Sequence, residues 1–313
     1  MRILVVGAGA VGGYLAAMLG AAGRDVTLLL RPARAASYGG TLTVRAEGEE
    51  RRVPLRAATR ATVMPAHDLV ILACKAWDLD DAMEDIAAAL APAGAVLPLL
   101  NGLAHVGALN DRFGSGSVLG GTARIQARVA ADGTIERLND WRTITFGEQA
   151  GGESARTAAI HRLLDVPGVI AAPSAAVMGA MWEKFVHLAT AAAATCLMRA
   201  SVGEIVRAEG GAAFLAGLLE TAARVATAHG NPPSAAFMET YRAVFSDPGS
   251  AYVTSMARDL ERGARTEAEH ILGHMVRLAE GAGTDPGAFR LARLHMLAYD
   301  ERRAAARLPP PMP

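Results

Sequence analysis

The stretch RILVVGAGAVGGYLAAMLGAAGRDVTLLLR, Arg2 to Arg31, constrains the fold of this 313-residue chain more than any other part of it. Ile3 to Val6 is an apolar run of the length of a buried parallel strand. Gly7-Ala8-Gly9-Ala10-Val11-Gly12 follows, then small and apolar residues to Leu19, with Gly23 as a helix stop and Val26 to Leu30 as a second apolar run. Strand, glycine turn, helix and strand in that order predict a βαβ unit. In such a unit the first glycine permits the tight turn, the second lets backbone approach a pyrophosphate, and the third lets helix and strand pack closely. The helix N-terminus then faces the anion. Residues 7–12 are therefore the candidate dinucleotide cradle; the bland alternative is a glycine-rich turn in an ordinary α/β sheet.

The end of the second strand bears on which dinucleotide. An NAD site usually carries an acid about 20 residues on, to hold the ribose 2′-OH. Here the strand runs into Arg31-Pro32 with Arg34 behind it, and Asp25 comes too early. A guanidinium offers a planar fork of donors suited to a 2′-phosphate. This favours NADP, against the alternative that Arg31 is a solvated surface charge.

Further strands deliver polar groups in the same way. Asp68 to Cys74 ends at Lys75, and Ala95 to Leu100 ends at Asn101. In an open α/β sheet, ligands lie off the carboxyl ends of the strands, and Gly7, Arg31, Lys75 and Asn101 all fall at such ends. Two alternating segments, 41–45 and 52–56, predict a hairpin insertion, and 118–128 with 134–147 predict longer antiparallel strands finishing the sheet. A helix over 153–164 and a strand over 168–171 complete a first domain, residues 1–172. From Pro173 the pattern is helical almost throughout, with helices expected at 178–198, 202–208, 211–229, 234–245, 266–281 and 286–305. The expectation is an α/β domain followed by an all-α domain, residues 173–313, with the active site in the cleft between them.

Composition narrows the function. The formal net charge is zero, which gives no reason to expect a nucleic acid or an anionic membrane as partner. Met1-Arg2 and the apolar run could imitate a signal peptide, but the glycines fall at dinucleotide spacing. Cys74 and Cys196 are the two cysteines, too few for a disulfide framework and without metal-ligand spacing, so a cytoplasmic protein with no metal is expected. The Arg302–Pro313 tail is expected to fray.

Of 31 basic residues, Lys75 and Lys184 are the only lysines. Unlike arginine, lysine can lose its proton when desolvated. Lys184 heads a run, Phe185 to Met198, with no carboxylate or fixed charge. It reads either as a desolvated ammonium tuned for proton transfer or as a snorkelling lysine with its head in water. Further on, Thr266 with Glu269 matches a capping box, and Glu267 alone reads as a helix-dipole partner.

Taken together, GAGAVG at 7–12, Arg31, Lys75 in CKAWD, Asn101 in NGL, Lys184 in WEKF, Val202-Gly203-Glu204-Ile205 and the spacing from Ser255 to Glu267 resemble the ketopantoate reductase family along nearly the whole chain. The resemblance implies a Rossmann-like domain followed by an all-α domain, and hydride transfer from NADPH to the ketone of a 2-oxo acid such as 2-dehydropantoate, a step of pantothenate biosynthesis. It implies Lys184 as the general acid and Asn101 between nicotinamide ribose and substrate. Ser255 falls on the substrate side, Lys75 near the cofactor, Thr122 or Ala123 at the nicotinamide amide, and Glu267 on the ribose or on Lys184. The family's ketopantoate enzymes carry asparagines four and eight residues after the lysine and a third before the Gly-Glu pair; here these are Leu188, Ala192 and Val202. Three apolar residues in place of amides predict a more apolar carbonyl substrate. A non-catalytic NADP(H) sensor or scaffold is the other reading, against which the retained Lys184, Ser255 and Glu267 argue. An apolar helical domain is compatible with a homodimer.

Overall fold

The protein is described by a computed structural model covering residues 1–308. It forms two compact units, one of Met1–Leu100 with His105–Ala180 and one of Asn101–Ala104 with the chain from Met181 onward.

The first unit begins with the expected βαβ: β1 (Ile3–Val6), α1 (Ala10–Ala21) and β2 (Val26–Leu29). A short helix α2 (Pro32–Ala36) follows, then β3 (Thr41–Ala46), β4 (Glu49–Pro54), β5 (Arg56–Ala58) and β6 (His67–Leu72). Next come α3 (Leu79–Ala89), β7 (Leu90–Pro98) and α4 (Ala104–Phe113). The parallel sheet has the order β5-β2-β1-β6-β7, so the chain leaves β1 to one side through β2 and to the other through β6. That reversal beside the carboxyl end of β1 is where an open α/β sheet leaves a crevice for a ligand.

One expectation fails here. The two long antiparallel strands, β8 (Leu119–Val129) and β9 (Ile135–Glu148), do not finish the parallel sheet. They belong to a second sheet of order β10-β9-β3-β4, with β8 paired to β9 and β10 spanning Ile170–Pro173. The hairpin of β3 and β4 joins it because Val44 and Arg45 pair with Ile135 and Glu136, 91 residues away in sequence. Helix α1 lies against both sheets. Leu15 and Leu19 share one core with Ile3 and Val5 of the parallel sheet and with Val44, Ile135 and Phe146 of the second. Helices α3 and α4 close the other face of the parallel sheet over Leu4, Val70 and Leu72. Helix α5 (Ala155–Leu164) is held at its start by a Ser154–Thr157 capping box. After Pro173 the chain stays tied to β9, with the Ser174 N–H donating to the Phe146 carbonyl at 2.8 Å.

The second unit is helical: α6 (Val177–Met198), α7 (Val202–Arg207), α8 (Gly211–Ala228), α9 (Ala235–Val244), α10 (Ser255–Glu261), α11 (His274–Gly281) and α12 (Ala288–Ala304). Two local readings are corrected. Residues 255–261, a polar stretch outside the helices expected above, form α10 because Thr254 caps it, its Oγ1 accepting from the Ala257 N–H at 3.2 Å. The Thr266–Glu269 capping box is absent. Arg293 donates to both Glu269 oxygens at 2.6 and 3.0 Å and Arg277 adds a contact at 3.3 Å, while Thr266 Oγ1 is buried without a partner. Two guanidiniums hold the carboxylate that a capping box would turn to the Thr266 backbone N–H. The segment Glu269–Gly273 opens α11 as a π-turn. Of the tail expected to fray, Arg302 to Ala304 continue α12, residues 305–308 follow without helix, and 309–313 lie outside the described residues.

Candidate functional site

The glycine turn has the stereochemistry that a pyrophosphate cradle needs. Gly7 sits at φ +95, and a Cβ there would lie 2.6 Å from the Cys74 amide nitrogen at the end of β6. Only glycine takes both that conformation and that approach without strain. A Cβ on Gly12 would meet the Gly7 carbonyl oxygen at 2.1 Å, so helix and turn are in direct contact there. A Cβ on Gly9 would meet nothing within 4 Å. The open position is thus the residue that must let a ligand approach. Gly9 is also the N-cap of α1, with no side-chain cap and no acid in the first turn. The orphan N–H groups of that turn are left for an anion. These residues, Gly7 to Gly12 with Ala8, Ala10 and Val11 between them, fit the phosphates of a dinucleotide. Gly12→Ala should lower stability by about 1–3 kcal/mol through overpacking and weaken dinucleotide binding; thermal unfolding and fluorescence titration check the two effects.

Arg31 follows β2 and caps α2 by its backbone. Its guanidinium donates to the Asp78 carboxylate, which sequence reasoning missed as a partner because it arrives from the end of another strand. Lys75 begins the short 3-10 turn Ala76–Asp78, with its ammonium 5.4 Å from the Trp77 ring centroid. Thr122 and Ala123 lie on β8, paired with Thr145 and Ile144, and Thr122 Oγ1 is buried without a hydrogen-bond partner.

In the second unit, α6 carries Lys184 with half-buried Leu188 one turn on and buried Ala192 two turns on. Val202 is fully buried, its N–H spent on the Tyr252 carbonyl at 3.0 Å. Burial pushes the Lys184 pKa down to about 8, and the Glu267 carboxylate works against that shift. The same carboxylate acts on His270, in the π-turn, and the Asn101 carbonyl accepts from the His270 ring. A Cβ on Gly102 would lie 3.1 Å from His270 Cδ2, so the Asn101–Gly102 turn rests on that imidazole. The structure thus brings Lys184 and His270 under one carboxylate, Glu267, with Asn101 held on His270. His270 drew no notice in the sequence; its one signal is its place three residues after Glu267 in a polar stretch. Ser255 is exposed at the first position of α10 and joins none of these hydrogen bonds.

Proton transfer is the chemistry this cluster can do. An ammonium with a pKa near 8 is protonated at neutral pH, yet gives up its proton far more readily than an ordinary lysine. Glu267 holds that pKa up, so Glu267→Gln should let it fall further. The high-pH limb of kcat/KM then moves to lower pH, which a pH–rate profile of the variant measures.

A glycine turn at the switch point of a parallel sheet, followed by an all-α unit with a tuned lysine, defines a dinucleotide-binding α/β protein with a helical C-terminal domain. Comparison with known proteins gives the family. The sequence model described as "Ketopantoate reductase PanE/ApbA" matches residues 3–151, and that of its C-terminal domain matches residues 176–296. The chain belongs to the ketopantoate reductase family and is an oxidoreductase of that family, which with the glycine turn implies a nicotinamide dinucleotide as cofactor. An uncharacterised oxidoreductase of Bacillus subtilis, YkpB, is 29% identical over 282 residues, covering 90% of this chain and 92% of that protein. A 2-dehydropantoate 2-reductase of Halobacterium salinarum is also 29% identical over 282 residues, covering 89% and 92%. A crystal structure of a family member from Ralstonia eutropha superposes with a TM-score of 0.85 at 26% identity, over 97% of this chain and all of that one. No helix among the described residues is long and apolar enough to cross a membrane.

Proposed function

We propose that the protein is an NADPH-dependent reductase of a 2-oxo acid or related carbonyl compound, with Lys184 as general acid. The observation that carries this reading is half-buried Lys184, whose desolvated ammonium has its pKa lowered to about 8 against the opposing pull of the Glu267 carboxylate. Bound NADPH supplies the hydride. Lys184 Nζ donates a proton to the carbonyl oxygen of the substrate, and its charge stabilises the alkoxide as it develops. Glu267 keeps that ammonium charged at neutral pH. Asn101 binds nicotinamide ribose and substrate, its turn fixed by His270, and Ser255 binds the acid group. Residues 7–12 hold the pyrophosphate. Lys75 lies along the cofactor, and the orphan Thr122 hydroxyl with the Ala123 backbone takes the carboxamide.

The preference for NADPH rests on Arg31. Asp78 shares the position, and an aspartate can equally accept from a ribose 2′-OH. The Arg31 side chain is 68% exposed against 27% for Asp78, so the guanidinium is the group presented to a ligand, with the acid behind it as its orienting partner. Leu188, Ala192 and Val202 line no amide to a polar hydroxy-acid, and a more apolar carbonyl compound than 2-dehydropantoate is the substrate we favour. The test is NADPH oxidation against a panel of 2-oxo acids and simple ketones. Turnover on the panel supports the reductase. Tight NADPH binding with no turnover anywhere would make the chain a cofactor sensor.

A further inference from the structure

The first unit contains a second polar pocket, unused by the chemistry above. It opens beside α1, has a volume of about 230 Å³, and is lined by Tyr14, Glu47, Arg51, Arg137 and Arg142 among others. Its position follows from strand alternation. Ile135 and Ile144 on β9 are fully buried under α1. Side chains two residues apart on a strand share a face, so Arg137 and Arg142 prolong these inward rows past the point where apolar residues stop. Arg137 pays for that placement with its hydration: its side chain is 3% exposed. One nitrogen, Nη2, donates to Glu47 Oε1 at 2.5 Å. Nε and Nη1 are buried and donate to nothing.

A buried guanidinium with unused donors is an unfinished site, since arginine has five N–H donors and no way to shed its charge. Glu47 does not complete it. Its carboxylate is shared between Arg137 and Arg142, the latter at 3.1 Å, and is 61% exposed at the turn between β3 and β4. Its backbone stands at φ +55, a conformation that non-glycine residues avoid. Arg51 is engaged by Glu49, itself 69% exposed. Both acids therefore sit on the outer rim, and the deeper nitrogens of Arg137 are left over. The hydroxyl of Tyr14 donates to the Gly168 carbonyl at 2.7 Å and closes the inner end.

We propose that this pocket is an oxyanion site, taking a small carboxylate or phosphate on Arg137, Arg142 and Arg51, with Glu47 as the internal counter-ion that the ligand displaces. Planar guanidiniums match both oxyanions bidentately. Three arginines against two rim acids leave one positive charge for the occupant to neutralise.

The experiment is calorimetric titration of the full chain with inorganic phosphate and, separately, with succinate. Wild type, Glu47→Gln and Arg137→Met are compared, with circular dichroism as the check on folding. The expected result is saturable binding of at least one probe, which of the two identifying the class. Glu47→Gln should bind about tenfold more tightly, because the competitor is gone, and Arg137→Met about tenfold or more weakly. Phosphate can also bind at the glycine turn, but that binding would ignore position 47. Binding unchanged by Glu47→Gln, or no saturable binding by either wild type or Glu47→Gln, overturns the proposal even if Arg137→Met fails to fold.

Discussion

Lys184→Ala should lower kcat/KM for NADPH oxidation by about 10²–10⁴-fold, the range a positioned general acid contributes, while leaving NADPH affinity nearly unchanged. Nothing from Phe185 to Met198 carries a fixed charge, and Glu183, the carboxylate of α6, accepts from the Ser234 N–H at 2.9 Å and from its hydroxyl at 2.7 Å. The Glu267 carboxylate, brought in from the segment before the π-turn, acts on the Lys184 ammonium. Desolvation outweighs that attraction, and the pKa settles near 8. Lys184→Arg is the informative companion. It keeps the charge but cannot release a proton, so it should stay impaired. A full-activity arginine variant would mean that position 184 supplies charge alone. Steady-state kinetics on the best substrate of the panel, with NADPH titration as control, decides it.

Arg31→Ala should weaken NADPH binding by roughly 10–100-fold, since hydrogen bonds to charged groups contribute about 1.5–3 kcal/mol and each 1.4 kcal/mol is tenfold. NADH should lose little. The contrast between the two cofactors is the test, because a general disturbance of α2 or β2 would weaken both alike. Asp78 sharpens the prediction. Its carboxylate accepts from Arg31 and orients it. Asp78→Asn should therefore cost NADPH less than the arginine change and should not improve NADH. An Asp78→Asn variant that loses NADH selectively would reverse the assignment and make Asp78 the ribose ligand.

The parts of this molecule that were legible in its sequence are those written over short distances. The glycine turn spans six residues, and each glycine has a separate steric reason that the structure displays at Gly7, Gly9 and Gly12. The helices of the second unit follow from periodicity and stops such as Gly230 and Gly283. What was not legible depends on pairings far apart in sequence. The second sheet exists because Val44 meets Ile135, and no local pattern in either strand specifies that partner. Asp78 reaches Arg31 across 47 positions. Thr266 and Glu269 have the spacing of a capping box, but Arg293 and Arg277 compete from other turns and win the carboxylate. His270 is the same case: alone it is an ordinary histidine, and its role arises when Asn101 and Glu267 are folded against it.

A general acid changes protonation state during catalysis, so the most direct measurement of the role of Lys184 is the pH dependence of kcat/KM for the wild-type enzyme. Lys184 must carry its proton into the reaction, and it does so below its pKa. The prediction is a plateau near neutrality and a decline above about pH 8, falling tenfold per pH unit, the limb of an essential acid in the free enzyme. A profile that stays flat from about pH 6 to about pH 10, the range over which such an ammonium would deprotonate, would contradict it.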